Sequence, residues 1–274
     1  MALSILNNIP ALVAQNQLSI NGVQLQRTLF RMSSGSRINS GADDAAGLAI
    51  ADGLRANISA LSQSARNAND GVGALQVADG SLAQVTTLLN RAVTLATEAA
   101  TGTVSDAQRT ALDSEFTAIK DEITRIGTDV TFNATSVFTA STTSVFLSDA
   151  SSTSSITVTV GTLAASDING SDLSTEDLTD ATNAGAAVVA INTAIANVAG
   201  LRGTLGSTIN RLQAASNVIQ NQVQNLTAAE DGIRAADIAM EVGNLSRFSI
   251  LNQTGIAALA QANSQQQAVL ALLR

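Results

Sequence analysis

The sequence predicts a mainly α protein, a long antiparallel helical coiled-coil rod with a small β-hairpin region, and three observations predict it. First, stepping by four and three from Ile191 gives Ile195, Val198, Arg202, Leu205, Ile209, Leu212, Ser216, Ile219, Val223, Leu226, Glu230 and Ile233. Ten of these thirteen positions are aliphatic, and a 3.5-residue repeat held this long keeps one apolar line facing a partner helix. At the usual rise such a run spans roughly 65 Å. Second, Pro10 is the only proline, so nothing downstream of it removes a helix donor or clashes with the preceding turn. Third, 45% of the residues are apolar but only 2% are aromatic, all of them Phe, which suits closely packed helices.

Composition also excludes function classes. The chain has no Cys and no His. It therefore lacks the usual thiolate nucleophile, the commonest general base and most zinc ligands. Catalytic, cofactor and metal residues are expected to be none, and the protein is read as no enzyme. The net charge is −8 and Lys120 is the single lysine, so nucleic acid is not an expected partner. No unbroken apolar run approaches the ~18 residues of a membrane span, and no membrane is expected. Asn7, Asn8, Gln15 and Asn16 interrupt the start of the chain where a secretory signal would be apolar, which predicts export without a cleaved signal peptide.

The elements follow in order. From Ser4 to Met32, Ile5, Ile9, Leu12, Val13, Ile20, Val23, Leu29 and Met32 form a broad apolar face. Gly35 and Gly41 punctuate a break, after which Ser40, Asp43 and Asp44 suit the start of a helix. The next seam is Leu54, Ile58, Leu61, Ala65, Ala68, Val72, Leu75, Asp79, Leu82, Thr86, Leu89 and Val93, with Val85, Leu88 and Leu95 compensating a slip. Gly71, Gly73 and Gly80 miss the phosphate-loop spacing and are read as close-packing positions. Ser105 or Asp106 caps a third helix carrying Leu112, Phe116, Ile119, Ile123, Ile126 and Val130, closed by Gly127 and Asp129.

Ile156 to Val160 alternates with period two, and a Ser-rich turn from Asp149 to Ser155 precedes it. A small hairpin region and then a polar loop through Asp180 are expected. The last seam is Ile238, Val242, Leu245, Ser249, Asn252, Ile256, Leu259, Asn263, Gln266, Leu270 and Leu273. The expected divisions are 1–44, 45–135, 136–184, 185–232 and 233–274.

The segment Ser33 to Asp52, with Ala65-Arg66-Asn67-Ala68-Asn69-Asp70-Gly71, resembles the N-terminal region of bacterial flagellin. Gln222 to Leu226, Glu241-Val242-Gly243-Asn244-Leu245-Ser246-Arg247 and Leu259 to Asn263 resemble its C-terminal region. The resemblance implies terminal helices paired in an inner coiled coil. It also implies a structural subunit that polymerises through those helices into the extracellular filament used for motility. The expected assembly seam is Ile209, Leu212, Ile238, Val242, Leu245, Ile256 and Leu259. Implied partners are further copies of the chain, an export chaperone at the C-terminal helix, the export apparatus, and the axial junction and cap proteins. An animal innate immune receptor is a further one, through Arg91, Leu95 and Glu115. The alternatives are a junction or adaptor protein of the flagellar axis, and a zinc-peptidase insert that the absence of His disfavours.

Overall fold

The computed structural model describes residues 8–140, 142–148 and 154–271. They form five helices: α1 (Ile9–Ser34), α2 (Ala45–Ala99), α3 (Asp106–Asp129), α4 (Ala181–Arg234) and α5 (Ile238–Ala271). Between α3 and α4 lie three two-stranded antiparallel hairpins. These are β1 (Thr131–Phe132) with β2 (Thr135–Ser136), β3 (Thr143–Phe146) with β4 (Ser155–Val158), and β5 (Leu163–Ala164) with β6 (Asp167–Ile168). The chain divides into two compact units, Met1–Ala56 with Asn225–Arg274, and Asn57–Gln224. The division falls inside α2 and α4 rather than at the expected helix ends. The first turns of α2 and the last of α4 are tied locally, by Arg234 with Asp52 at 3.9 Å and by the Arg37 guanidinium donating to the Ile233 carbonyl at 2.8 Å.

The central unit holds nearly all of the apolar core. Its α4 seam is turned inward from Ile191 to Val223, with Ile191, Val198, Leu205, Leu212 and Ile219 buried. The two charged exceptions in the seams meet each other. Arg202 of α4 holds Asp79 of α2 through two bonds, Nε to Oδ1 at 2.8 Å and Nη2 to Oδ2 at 3.3 Å. Leu212 lies beside Gly71, so higher numbers on α4 meet lower ones on α2 and the two helices run antiparallel. A charge in each seam is tolerated because each supplies the other's partner at one register.

Helix α3 returns along α2 and buries Phe116, Ile119, Ile123 and Ile126 against Leu89, Leu95 and Ala99. Its start is fixed by Gln108, whose Oε1 accepts from the Ser105 amide at 2.9 Å and hydroxyl at 3.0 Å. Buried Arg109 donates to the Ala99 and Thr101 carbonyls at 2.9 and 3.2 Å. It thereby satisfies acceptors that the end of α2 leaves open. An 18-residue stretch of α4 has a mean hydropathy of 1.6, long and apolar enough by composition to cross a membrane, and one third of it is buried. In the fold Ala184, Ala187, Ile191, Ala194 and Val198 of this helix pack into the central core.

Several expectations are corrected. Helix α3 closes at Asp129 as expected, but Gly127 lies inside it as a close-packing position, where a Cβ would overlap the Leu163 carbonyl oxygen. Gly71 is a close-packing position under Val145, and Gly73 lies in ordinary contact with Phe132, whereas Gly80 has no neighbour within 4 Å. Nor are residues 161–180 merely a polar loop. They include the β5–β6 hairpin and send Leu163, Ile168, Leu173 and Leu178 into the core. Strands of two residues with an Ala-Ser turn give no period to read, so the sequence pattern misses them. The expected polar turn is outside the described residues from Asp149 to Thr153.

Two exposed turns adopt the mirror-image geometry that matches strand twist, and only one has the preferred residues. Asn169 and Gly170 have φ of 48° and 91°, an Asn-Gly pair closed by reciprocal Ile168–Ser171 bonds. Asn133 and Ala134 have φ of 49° and 61° at the tip of β1–β2. There an alanine occupies a left-handed position that favours glycine.

Candidate functional site

The terminal unit is built from α1, α5 and the junction between them. Gly35 leaves α1 in a left-handed cap with φ 68°. Beyond it, Ser36 bridges to Ala235, the Arg37 amide donates to the Arg234 carbonyl at 2.6 Å, and the Ala236 amide donates to the Gly35 carbonyl at 3.0 Å. Asp43 organises the following turn by accepting from the Asn39 amide, the Ser40 amide and the Ser40 hydroxyl. The Ser40 hydroxyl is the main reason its carboxyl sits below the usual range.

The face that α1 and α5 turn to each other is not the most apolar one. On α1 the buried or half-buried line is Ala11, Ala14, Leu18, Asn21, Leu25, Thr28 and Met32. On α5 it is Glu241, Leu245, Phe248, Asn252, Gly255, Leu259 and Ala262. Both lines step by four and three, as a paired seam must. Yet the fully buried members are Asn21, Thr28 and Glu241. Three contacts mark an antiparallel register: Asn8 Nδ2 with the Ala262 carbonyl at 3.1 Å, Leu18 over Gly255, and Arg31 Nη1 with Glu241 Oε1 at 3.5 Å.

Many further large aliphatic and aromatic residues stand outside this pairing. Ile9, Leu12, Val13, Ile20, Val23, Leu29 and Phe30 of α1 are exposed, as are Ile238, Met240, Val242, Ile250, Leu251 and Ile256 of α5. In the central unit only Val77, Phe146, Val189 and Val218 are comparably exposed among the described residues. So many exposed apolar side chains on one folded unit mark an interaction surface.

The expected assembly residues therefore part company. Leu212 is buried and Ile209 half-buried in the central core. Leu245 and Leu259 belong to the line facing α1, while Ile238, Val242 and Ile256 are exposed. Sequence reading missed Glu241, Gly255, Asn21 and Thr28, because a search for apolar periodicity passes over small and polar residues. The four-three spacing of Glu241, Phe248, Gly255 and Ala262 with Leu245, Asn252 and Leu259 was the available signal. Gln266 and Leu270 have no described side chains, and Ile5 and Leu273 are outside the described residues.

The second expected site is only partly assembled at the surface. Arg91 and Glu115 form a two-bond ion pair, Nε to Oε1 at 2.8 Å and Nη2 to Oε2 at 3.1 Å. The pair raises the Arg91 pKa and lowers that of Glu115, through the shared hydrogen bonds first and their mutual charge as well. Leu95 is not on that surface. It is 1% exposed, packed in the core with Ala92, Ala96 and Ala99. Four residues advance a helix by slightly more than one turn, which is enough to carry Leu95 under α3 while the long Arg91 stem reaches solvent. An open groove of about 760 Å³ beside the hairpins is lined by Asp70, Ala74, Phe132, Val145, Phe146 and Val158 among others.

Residues 5–143 match a family model described as the bacterial flagellin N-terminal helical region, and residues 188–273 match one described as the C-terminal helical region. The chain is 40% identical over 275 residues to a flagellin of Halalkalibacterium halodurans, covering 98% of each chain. It is 34% identical over 300 residues to a flagellin of Bacillus subtilis, covering 98% of this chain and 99% of the relative. Among solved structures, the flagellin of Bacillus cereus superposes with a TM-score of 0.50 at 30% identity, over 60% of this chain and 94% of that one. A putative flagellar hook-associated protein from Vibrio parahaemolyticus shares the fold, with a TM-score of 0.56 at 15% identity over 70% of this chain and all of that one.

Proposed function

Because the chain belongs to the bacterial flagellin family, we propose that the apolar residues left outside its α1–α5 pair are the contacts by which its copies assemble. Membership makes the protein a structural subunit of the extracellular flagellar filament that drives motility, self-polymerising and not an enzyme. The finer assignment is to Leu12, Val13, Ile20, Val23 and Phe30 on α1, and to Ile238, Val242, Ile250 and Ile256 on α5. One observation carries it: the terminal unit buries Asn21, Thr28 and Glu241 while these residues face solvent. Fully burying one such side chain is worth about 1.5–3 kcal/mol, so a lattice of copies gains by covering them. Leu245 and Leu259 then act within a subunit, and Ile209 and Leu212 hold the central unit. Electron microscopy of the purified protein tests the reading first, with long uniform fibres expected. Hydrogen exchange then locates the contacts. Protection of α1 and α5 should rise from monomer to fibre, and equal protection in both states would reject the assignment.

The same exposed α5 face suits an export chaperone, which would cover Ile238, Val242, Ile250 and Ile256 before assembly. A chaperone complex should protect these residues from exchange, and a chain lacking 233–274 should not form it. Passage through the flagellar export apparatus, with no leader cleaved, and contact with axial junction and cap proteins belong to the same reading. The intact mass of secreted protein should show no loss of a 15–30-residue leader of the secretory kind. An animal innate immune receptor would meet Arg91 and Glu115 at the surface, with Leu95 acting only by supporting the helix beneath them. Arg91→Ala should then weaken binding of the monomer to the receptor ectodomain, and equal binding would leave the ion pair a structural feature.

A further inference from the structure

The α1–α5 seam raises a question of register that apolar burial does not answer. Its lines mix Leu18, Leu25, Met32, Leu245, Phe248 and Leu259 with Asn21, Thr28, Asn252, Gly255 and Glu241. A slide by one heptad returns each line of a repeating seam to the same facing positions, so its apolar members alone select the alignment weakly and other contacts must fix it. Two lie fourteen positions apart on α5, on the same line of the heptad. Gly255 sits under Leu18, whose Cδ1 would be 3.1 Å from a Cβ built there. Glu241 is 3% exposed, the single buried acid among the described residues.

The surroundings of Glu241 come from every element at the junction. From α1, Arg31 approaches Oε1 at 3.5 Å, and the neighbouring turn of that helix brings buried Thr28. From α5, Asn244 Nδ2 donates to Oε2 at 3.5 Å, and Asp237 accepts from the Met240 amide in the first turn. From the turn before α2, Asp43 lies 3.9 Å from the other arm of the same Arg31 guanidinium. The end of α4 contributes Arg234, which lies within 4 Å of Asp52 and Glu230. One guanidinium thus stands between two carboxylates on segments that diverge from each other.

We propose that Arg31 and Glu241 are the register key of the terminal helix pair, with Leu18 over Gly255 as its steric companion. Sliding α5 by one heptad toward the start of α1, so that Ile256 reaches Asn8, carries Glu241 from Arg31 to the level of Gln24 and leaves it buried without its cation, which is strongly unfavourable. The same slide removes the glycine from beneath Leu18. Because Arg31 also holds Asp43, the key sets the α1–α5 alignment and the geometry of the turn into α2 together. The inference rests on pairing within one chain and stands apart from the assignment of filament contacts.

The absence of cysteine makes a clean test available. Asn8→Cys with Asn263→Cys reports the native alignment, since these side chains lie 3.5 Å apart. Asn8→Cys with Ile256→Cys reports a one-heptad slip. Each pair is oxidised in the full chain, and intramolecular cross-links are read by gel mobility and peptide mass. The ratio of native to slipped cross-link should fall about tenfold with Arg31→Glu. It should recover when Glu241→Arg is added in an Asp43→Asn background. The background change removes the acid that a carboxylate at position 31 would otherwise oppose, while keeping an acceptor for the Ser40 amide. Glu241→Gln keeps the shape and removes the charge, so it should lower the ratio by less. The proposal is overturned if the ratio is unchanged by Arg31→Glu, or if the reversed pair fails to restore it while the central unit melts normally.

Discussion

The two units are both made of long amphipathic helices, but they use their apolar residues in opposite ways. In the central unit the most apolar line of each helix points inward, and Leu82, Leu89, Phe116, Ile191, Leu205 and Leu212 are buried together. In the terminal unit the helices meet along lines that mix Leu, Met and Phe with Ala, Asn, Thr, Gly and Glu. The buried members of those lines are Asn21, Thr28 and Glu241, and many large apolar residues point outward. On the proposed assignment, the difference separates a unit stabilised by its own chain from one whose apolar surface is completed by other copies. An amphipathic pattern therefore reports where apolar residues are buried in the working assembly, and not always inside one folded chain.

Glycines offer the largest contrast. Gly127→Ala should destabilise the central unit by about 3 kcal/mol or more, since the added methyl overlaps the Leu163 carbonyl and forces β5 away. Gly243→Ala in α5 meets open space. It should instead strengthen the helix by up to about 1 kcal/mol. Thermal unfolding of the two variants checks both signs. Leu212→Ala comes next, at about 2–5 kcal/mol for a fully buried leucine. The matching truncation Ile256→Ala, at an exposed position of α5, should leave the monomer's melting unchanged.

How much of this was legible depended on which burial the pattern recorded. The α4 seam could be read residue by residue because its aliphatic line is the line the chain itself covers. Asp79 and Arg202 looked like faults in two separate seams; together they are one ion pair, a correlation that periodicity within a single helix does not expose. The terminal pairing could be expected, and with it Leu245, Asn252 and Leu259, but not its polar and small members. The apolar signal of Val242 and Ile256 outweighs the quieter repeat of Glu241, Gly255 and Ala262. Leu95 shows the same limit on a smaller scale. Helical spacing puts it near Arg91, while the depth that separates a buried residue from an exposed one is set by α3 packing above it.

Smaller effects sharpen the account of the central unit. Ala134→Gly should stabilise it by about 1 kcal/mol, because Ala134 holds a left-handed conformation that Gly170 adopts without strain in the corresponding turn. Denaturant titration resolves a gain of that size.

The weakest expected effect is a pH dependence. The Thr162 hydroxyl bonds Asp167 and the Thr179 hydroxyl bonds Asp177, each the leading cause of a carboxyl pKa below its ordinary 3.8. Groups shifted down in the fold add stability that is present above that ordinary value and lost as pH falls through the lower folded ones. Exchange measured below pH 3.8 should therefore show the 162–183 segment loosening before the α2–α4 seam.

The central claim, that the apolar line outside the terminal pair belongs to the contacts between copies, is tested most directly by Val242→Ser with Ile256→Ser in one chain. Both side chains are about half exposed, at 45% and 55%. The account predicts an unchanged melting curve for the monomer and a critical concentration for polymerisation raised at least about tenfold, the equivalent of roughly 1.4 kcal/mol per contact set. Polymerisation at the normal concentration, or a monomer that loses its fold as polymerisation fails, would contradict it.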